Sequence, residues 1–586
     1  MGSIGHGHKV VKKNIFYRGI SQVDIICLFE KMQIDHLPSS IGATLLYYII
    51  SMGLKLSTLT KYVHIGKTST YSYISDRIGG VWMKQQIKRK LILCSVVLLS
   101  LTMSFTIEKL DLLDGTAAVF SQREKRSKAA ANEYVIKAEF DSVEKLLVAN
   151  EKISYTNMSD TNFQAIYFHL YPNTFKTKDT VPFDEGEMML AYPKGFEPGY
   201  IQITSVESNG EALNYAILGV GETILKVNLN QPLESRSKID LEIIFTVKIP
   251  PSNGRFGYGE NTINIANWYP IAAMYDSRGW NLEPYYAIGD PFYSDIANYR
   301  VYITMLPEYT LASTGNIIKR ENIGGKALWT IEAKNVRDFA MITGEKYKVL
   351  EDEIDGVKIK SYFIDDTYGD LALQTAKDAV GIFNKAFGKY PYKQLSVAAA
   401  DFFIGGMEYP NLVFIDQSLY QEDHKDILEY VVAHEVAHQW WYGIVGNDQV
   451  NEPWLDEALT EYSTLVYYEK KYGNDVKENV YKNMIARMYQ AYHVPGTESK
   501  EKIYKSLKEF DNAREYQALV YSKGAIFIGE LRKELGEQMF FQIMKVYFDK
   551  YRFKHATTED FIKLCEQISD RELQDYFNKW LNYNQE

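Results

Sequence analysis

The sequence predicts an α+β chain in which an antiparallel β domain precedes a helix-rich domain. Between residues 134 and 363, apolar and polar residues alternate in runs rich in β-branched and aromatic side chains, among them YVIKAEF, YIQITSV, TILKVNL, IDLEIIFTVKI and YRVYITML. Turn dipeptides such as Asn209-Gly210, Gly324-Gly325 and Asp355-Gly356 separate these runs, so neighbouring strands reverse direction. After Asp366 the apolar spacing lengthens towards 3.6 in LALQTAKDAVGIFNKAF, ILEYVVAHEVAHQWWYG, DEALTEYSTLVYYEKKYG and GAIFIGELRKELG, which predicts helices.

Composition narrows what such a chain can be. Its 586 residues leave room for several domains, and 46% hydrophobic with 24% charged residues is an ordinary globular balance. A wholly disordered chain and a polytopic membrane protein are both excluded. With 65 Lys and Arg against 75 Asp and Glu, the net charge of −10 offers no basic surface for nucleic acid. Three cysteines, Cys27, Cys94 and Cys565, make neither a disulfide framework nor a multi-thiolate metal site. Any metal therefore falls to histidine and carboxylate.

In chain order, residues 1–82 form an extension with no legible role. Residues 83–107 follow a different logic: Lys84, Lys88, Arg89 and Lys90 precede an uncharged run at 91–107, the layout of a signal peptide or membrane anchor. The expectation is a membrane-anchored or secreted protein with its folded part outside the cytoplasm. A polar linker spans 108–133, the β domain 134–345 and the helix-rich domain 346–586.

The chemistry concentrates in HEVAH. His434 and His438, four apart on a helix, share one face and can grip a single cation, with Glu435 beside them. Zinc suits two imidazoles, and a catalytic site needs a third protein ligand with a position left for water. Eighteen residues separate His438 from Glu457 in a second helical stretch, and that carboxylate completes a His, His, Glu set. The metzincin pattern would need Gly at 441 and His at 444, where this chain has Trp441 and Ile444. A carboxylate is expected to orient a ligating imidazole, and Glu452 is a candidate for that task.

HEVAHQWW, followed by WLDEALTEY, preceded by GGMEYPNLVF and followed by YSKG, resembles peptidase family M1, the aminopeptidase N-like gluzincins. NWYP, GDPFYSDIANYRV and FHLYPN resemble the amino-terminal β domain of its bacterial members. The resemblance implies a thermolysin-like catalytic domain, one zinc held by His434, His438 and Glu457, and peptide substrates with a free amino terminus. It implies that Glu435 is the general base and that Tyr521 of YSKG hydrogen-bonds the oxyanion. Gly405 and Gly406 would let a strand run close to the substrate, Glu408 would hold the substrate α-ammonium, and Glu260 would add a second anion from the β domain. Three positions depart from the family pattern: Tyr409 for Asn, Asp456 for Asn and Ala458 for Gly. RELQDYFNKWLNY resembles the closing helix of the catalytic domain, so a short bacterial type without a C-terminal helical domain is expected. Two readings remain open beside an aminopeptidase: a zinc endopeptidase with the same site, and an inactive membrane-anchored binding protein.

Overall fold

Period-two burial builds the first half of the chain. In the strand Asn132–Asp141 the side chains of Tyr134, Ile136, Ala138 and Phe140 are buried while Lys137 and Glu139 face water. This strand takes up the last two residues of the expected linker. The structure is a computed structural model that describes residues 132–365, 367–496 and 500–581. The extension 1–82, the basic and apolar segment 83–107 and linker residues 108–131 lie outside the described residues. Among the described residues no helix is long and apolar enough to cross a membrane.

Eight strands form the main sheet of the β domain, in the spatial order Asn316–Ile323, Lys326–Val336, Ala297–Met305, Asn132–Asp141, Leu146–Thr156, Lys238–Lys248, Tyr200–Ser208 and Glu211–Ala212. It is antiparallel except where Asn132–Asp141 runs parallel to Ala297–Met305. Two four-stranded sheets complete the core, contributing Phe168, Leu225 and Val227 from one and Ile265, Leu311 and Ile342 from the other. The NWYP segment lies inside: Trp268 and Tyr269 are fully buried, and the Tyr269 hydroxyl donates to the Tyr299 hydroxyl at 2.9 Å.

The second half is not helical from its start. Two strands come first, and they belong to a five-stranded sheet ordered Lys348–Ile354, Val357–Phe363, Gln394–Ala400, Leu412–Asp416 and Gly406–Met407. Gln394–Ala400 and Leu412–Asp416 are short apolar runs whose type periodicity alone does not decide. Both are buried on two faces, and the pleat sends alternate residues into different cores. Ala398, Ala400, Leu412 and Phe414 pack into the core of the β domain, whereas Val397, Ala399, Val413 and Ile415 pack against the helices. One sheet is the common wall of both cores.

Four helices set the site on this sheet: α1 (Gly369–Ala386), α2 (Lys425–Ala437), α3 (Trp454–Tyr472) and α4 (Gly524–Leu535). The expected helix through HQWWYG ends early. α2 stops at Ala437 with His438 as its C-cap, because Trp440 and Trp441 turn into the helical core and Tyr442 adopts φ 108°. His438 keeps helical dihedrals and its amide still donates to the His434 carbonyl at 3.2 Å, so the spacing of four remains geometrically helical.

A wall shared by two cores ties their unfolding together. Phe414→Ala, which empties a fully buried position on the β-domain side of that wall, should cost roughly 3–5 kcal/mol. Calorimetry should show one transition that moves as a unit to lower temperature; separate β-domain and helical transitions would contradict a shared core.

Candidate active site

The facing helices α2 and α3 bring the expected ligands together. His434 and His438 project from the end of α2, and Glu457 lies in the first turn of α3, all nearly excluded from solvent. Glu457 Oε2 lies 3.1 Å from His438 Nε2 and 3.6 Å from His434 Nε2. Burial would raise the Glu457 carboxyl, but the imidazoles of His438 and His434 outweigh it and hold the group well below the usual carboxylate range. One ligand atom from each of the three residues lies within 4.8 Å of the others. Two neutral imidazoles and one carboxylate are a donor set zinc accepts.

An oxygen lies close to the outer nitrogen of each ring, which leaves the Nε2 atoms for a metal. His438 Nδ1 donates to the Trp441 carbonyl at 3.1 Å, with Thr460 Oγ1 also 3.1 Å away. His434 Nδ1 lies 2.8 Å from Glu461 Oε2. Burial lowers the basicity of His434, yet the Glu457 and Glu461 carboxylates raise it to about 10. The Tyr430 hydroxyl donates to the other oxygen of Glu461, fixing the carboxylate that fixes the ring.

The orienting acid is thus Glu461, not Glu452. Glu452 Oε2 accepts the Thr558 amide and hydroxyl, both at 2.6 Å, and so caps the start of the helix Thr558–Ser569. Glu461 follows Glu457 by one helical turn on α3, so the i, i+4 rule applied to the third ligand could have found it.

Glu435 faces the opposite wall of the same cleft, where Gly406 allows it to fit. A Cβ at Gly406 would lie 2.2 Å from Glu435 Oε1, so any side chain there would displace the carboxylate. Gly405, at φ 95°, has the left-handed backbone that favours glycine. Together they turn the chain into the edge strand Gly406–Met407, which pairs with Phe414–Ile415 and leaves its other edge towards the cavity. Burial pushes Glu435 up to about 8, against the pull of the two histidines.

Glu408 comes directly after that strand, 3% exposed, and burial together with Asp290 raises it to about 8. Its Oε1 accepts from Gln449 Nε2 at 3.3 Å. Gln439, immediately after HEVAH, pins this strand to the metal helix. Its Nε2 donates to the Glu408 and Tyr409 carbonyls at 3.2 Å each, while its Oε1 accepts the Asn411 amide at 2.8 Å. At the first departure from the family pattern, the Tyr409 ring is buried against Phe414.

Tyr521 closes the site. Its hydroxyl donates to Glu457 Oε1 at 2.6 Å and its ring stacks on His434 at 5.7 Å. Burial, reinforced by the charge of Glu457, raises the phenol well above its ordinary value, so it stays a proton donor. It sits in a π-helical stretch, Gln517–Lys523, a feature often found at functional sites. The glycine of YSKG explains Ala458. A Cβ at Gly524 would meet the Ala458 Cβ at 2.6 Å, so glycine lets the start of α4 cross α3 closely and carry Tyr521 to Glu457. Asp456, the other departure, accepts from Asn447 at 2.8 Å and Gln449 at 2.6 Å.

His434, Glu435, His438, Glu457, Glu408, Gly405, Gly406 and Tyr521 all line one cavity of about 430 Å³. The β domain contributes Asp290 and Arg255, joined as a buried ion pair, and not Glu260, which is exposed and outside the lining. Asp290 lies in GDPFY, and no spacing rule linked that loop to the metal motif.

Residues 371–580 match the sequence profile described as the peptidase family M1 domain. The chain is 26% identical over 291 residues to "Aminopeptidase M1-A" of Oryza sativa subsp. japonica, covering 47% of this chain and 33% of that protein. To "Leucine aminopeptidase 2" of Coccidioides immitis it is 24% identical over 407 residues, or 63% and 60% of the two chains. It spans a third or less of several such relatives, among them 23% of "Aminopeptidase 2, mitochondrial" of Saccharomyces cerevisiae. In three dimensions it is similar to an M1 zinc metallopeptidase from Deinococcus radiodurans, with a TM-score of 0.56 at 16% identity over 77% of this chain and 93% of the other. A mutant of that protein has been solved with a Tyr-Ser-Ala substrate.

If Glu461 orients His434, Glu461→Gln should weaken zinc binding about 10- to 100-fold. Competition against a chromophoric chelator measures this, and an unchanged zinc affinity would remove Glu461 from the site.

Proposed function

We propose that this chain, which belongs to peptidase family M1, is a zinc aminopeptidase that removes the first residue from peptides. The observation that carries the reading is the position of Glu408. It is a buried carboxylate directly after the edge strand Gly406–Met407, in the same cavity as Glu435 and the ligand set, and its Oε1 is held by the neutral Gln449 amide. A peptide's α-ammonium is a cation of the right size to pair with it, and its burial then favours binding only when that charge is present.

Zinc, when bound by His434, His438 and Glu457, supplies Lewis acidity that polarises an amide carbonyl and makes water easier to deprotonate. The remaining work belongs to the chain. Extended substrate adds along the Gly406–Met407 edge, where the absence of side chains at Gly405 and Gly406 permits close backbone approach. Glu408 fixes the amine, which sets the first peptide bond beside Glu435. Glu435, whose carboxylate burial makes more basic, accepts the proton from water and passes it to the leaving amine. Tyr521, kept protonated, turns its hydroxyl from Glu457 to the oxyanion as charge develops there.

Lys84, Lys88, Arg89 and Lys90 ahead of the apolar run at 91–107 support placing the catalytic part outside the cytoplasm, anchored to the membrane or secreted.

Comparison of one short peptide with its N-acetylated form tests the reading. Acetylation should abolish most turnover, and Glu408→Ala should impair the free peptide far more than the acetylated one, narrowing the gap between them. Equal kcat/KM for the two peptides with the wild-type protein would instead establish an endopeptidase.

A further inference from the structure

The turn after the metal helix holds a strained backbone. Among the described residues other than glycine, those with positive φ lie between 51° and 63°, in the left-handed well, with one exception: Tyr442 at 108°. A bulky aromatic residue there is strained, and such strain persists only where the surroundings over-determine it. Gly443 follows directly, but the strain falls on the tyrosine.

The surroundings that hold it come from the β domain. Arg337 Nε donates to the Tyr442 carbonyl at 2.6 Å, and the Tyr442 hydroxyl donates to Asp338 Oδ2 at 3.0 Å. Two consecutive residues therefore grip one residue at both ends. Arg337 is itself braced: Nη2 donates to the Lys554 carbonyl at 2.6 Å, and Nη1 lies 2.7 Å from His555 Nε2. Gly446 makes room for the guanidinium, since a Cβ there would lie 2.1 Å from Arg337 Cζ. Arg337, Asp338 and Tyr442 are all at most 3% exposed. A bare packing contact would not need a strained backbone, a double grip and a glycine cradle.

What the grip aims is the preceding carbonyl. Trp441 O accepts from His438 Nδ1 at 3.1 Å, and the Gly443 amide donates to the His438 carbonyl at 2.9 Å. We propose that Arg337 and Asp338 are positioning residues for the metal ligand His438, acting through Tyr442 to fix the Trp441 carbonyl that orients the imidazole. The β domain then does more than wall the cleft; it sets the direction of one ligand across the domain boundary. This rests on the reading of His434, His438 and Glu457 as a zinc site.

The test is the zinc dissociation constant of folded apoprotein, measured by chelator competition well below the unfolding temperature, beside the thermal midpoint of the same apoprotein. Tyr442→Phe deletes one hydroxyl and keeps the ring; it should raise the dissociation constant about tenfold, in the range set by removing an outer partner of a ligating histidine. Arg337→Met should raise it further; should that variant not fold, Tyr442→Phe decides alone. Arg532→Gln is the control, because it breaks the ion pair with Glu469 at the far end of α3 and should lower the midpoint while leaving zinc affinity unchanged. Wild-type protein that binds zinc together with Tyr442→Phe that binds it within twofold of wild type would overturn the proposal and leave the zinc site standing. Wild-type protein that binds no zinc would overturn both.

Discussion

A carboxylate kept ionised without water is the constraint on which the rest of this structure depends. Glu457 is 2% exposed, and an isolated charge so buried would take up a proton. Two imidazoles from α2 and a phenol from the π-helical turn before α4 hold it as an anion. Each partner is then fixed from behind: His434 by Glu461 and Tyr430, His438 by the Trp441 carbonyl and Thr460, Tyr521 by the close crossing of Gly524 on Ala458. The demands of one buried charge thus reach into three separate stretches of chain.

The five-stranded sheet turns that cluster into a cleft. Its buried central strands give one face to each core, so its edge strand is placed by both halves of the molecule. Gly406 brings that edge within a missing Cβ of Glu435, and Gln439 ties the carbonyls of Glu408 and Tyr409 to the residue after HEVAH. Glu408, Glu435 and the ligand set are consequently held on one frame, the arrangement that the proposed aminopeptidase reading requires.

The ligand cluster, the placement of Glu435 beside it and the fold class were legible because they depend on short spacings. A helix repeats every 3.6 residues, so HEVAH states its own geometry, and alternation in YVIKAEF or YRVYITML states which face is buried. Glu461 obeys the same rule and was within reach one turn beyond Glu457. Asp290, Arg255 and the Arg337 and Asp338 grip were not, because the metal motif and the turn after it lie about a hundred residues or more further along the chain, and no local period records such a contact. Glu260 and Glu452 failed for the complementary reason. Each is an acid near a motif in sequence, but one faces solvent and the other caps a helix. The early end of α2 was hidden because HQWWYG has the apolar content of a helix, while its aromatic side chains are needed in the core in a direction that a continuing helix would not give.

The central claim is a division of labour in which His434, His438 and Glu457 hold the metal while Glu435 moves the proton. Zinc content and peptide hydrolysis measured on one purified preparation of Glu435→Gln test it most directly. The account predicts about one zinc per chain, as in the wild-type protein, with hydrolysis lost. Zinc lost together with activity, or activity retained with zinc in place, would contradict it.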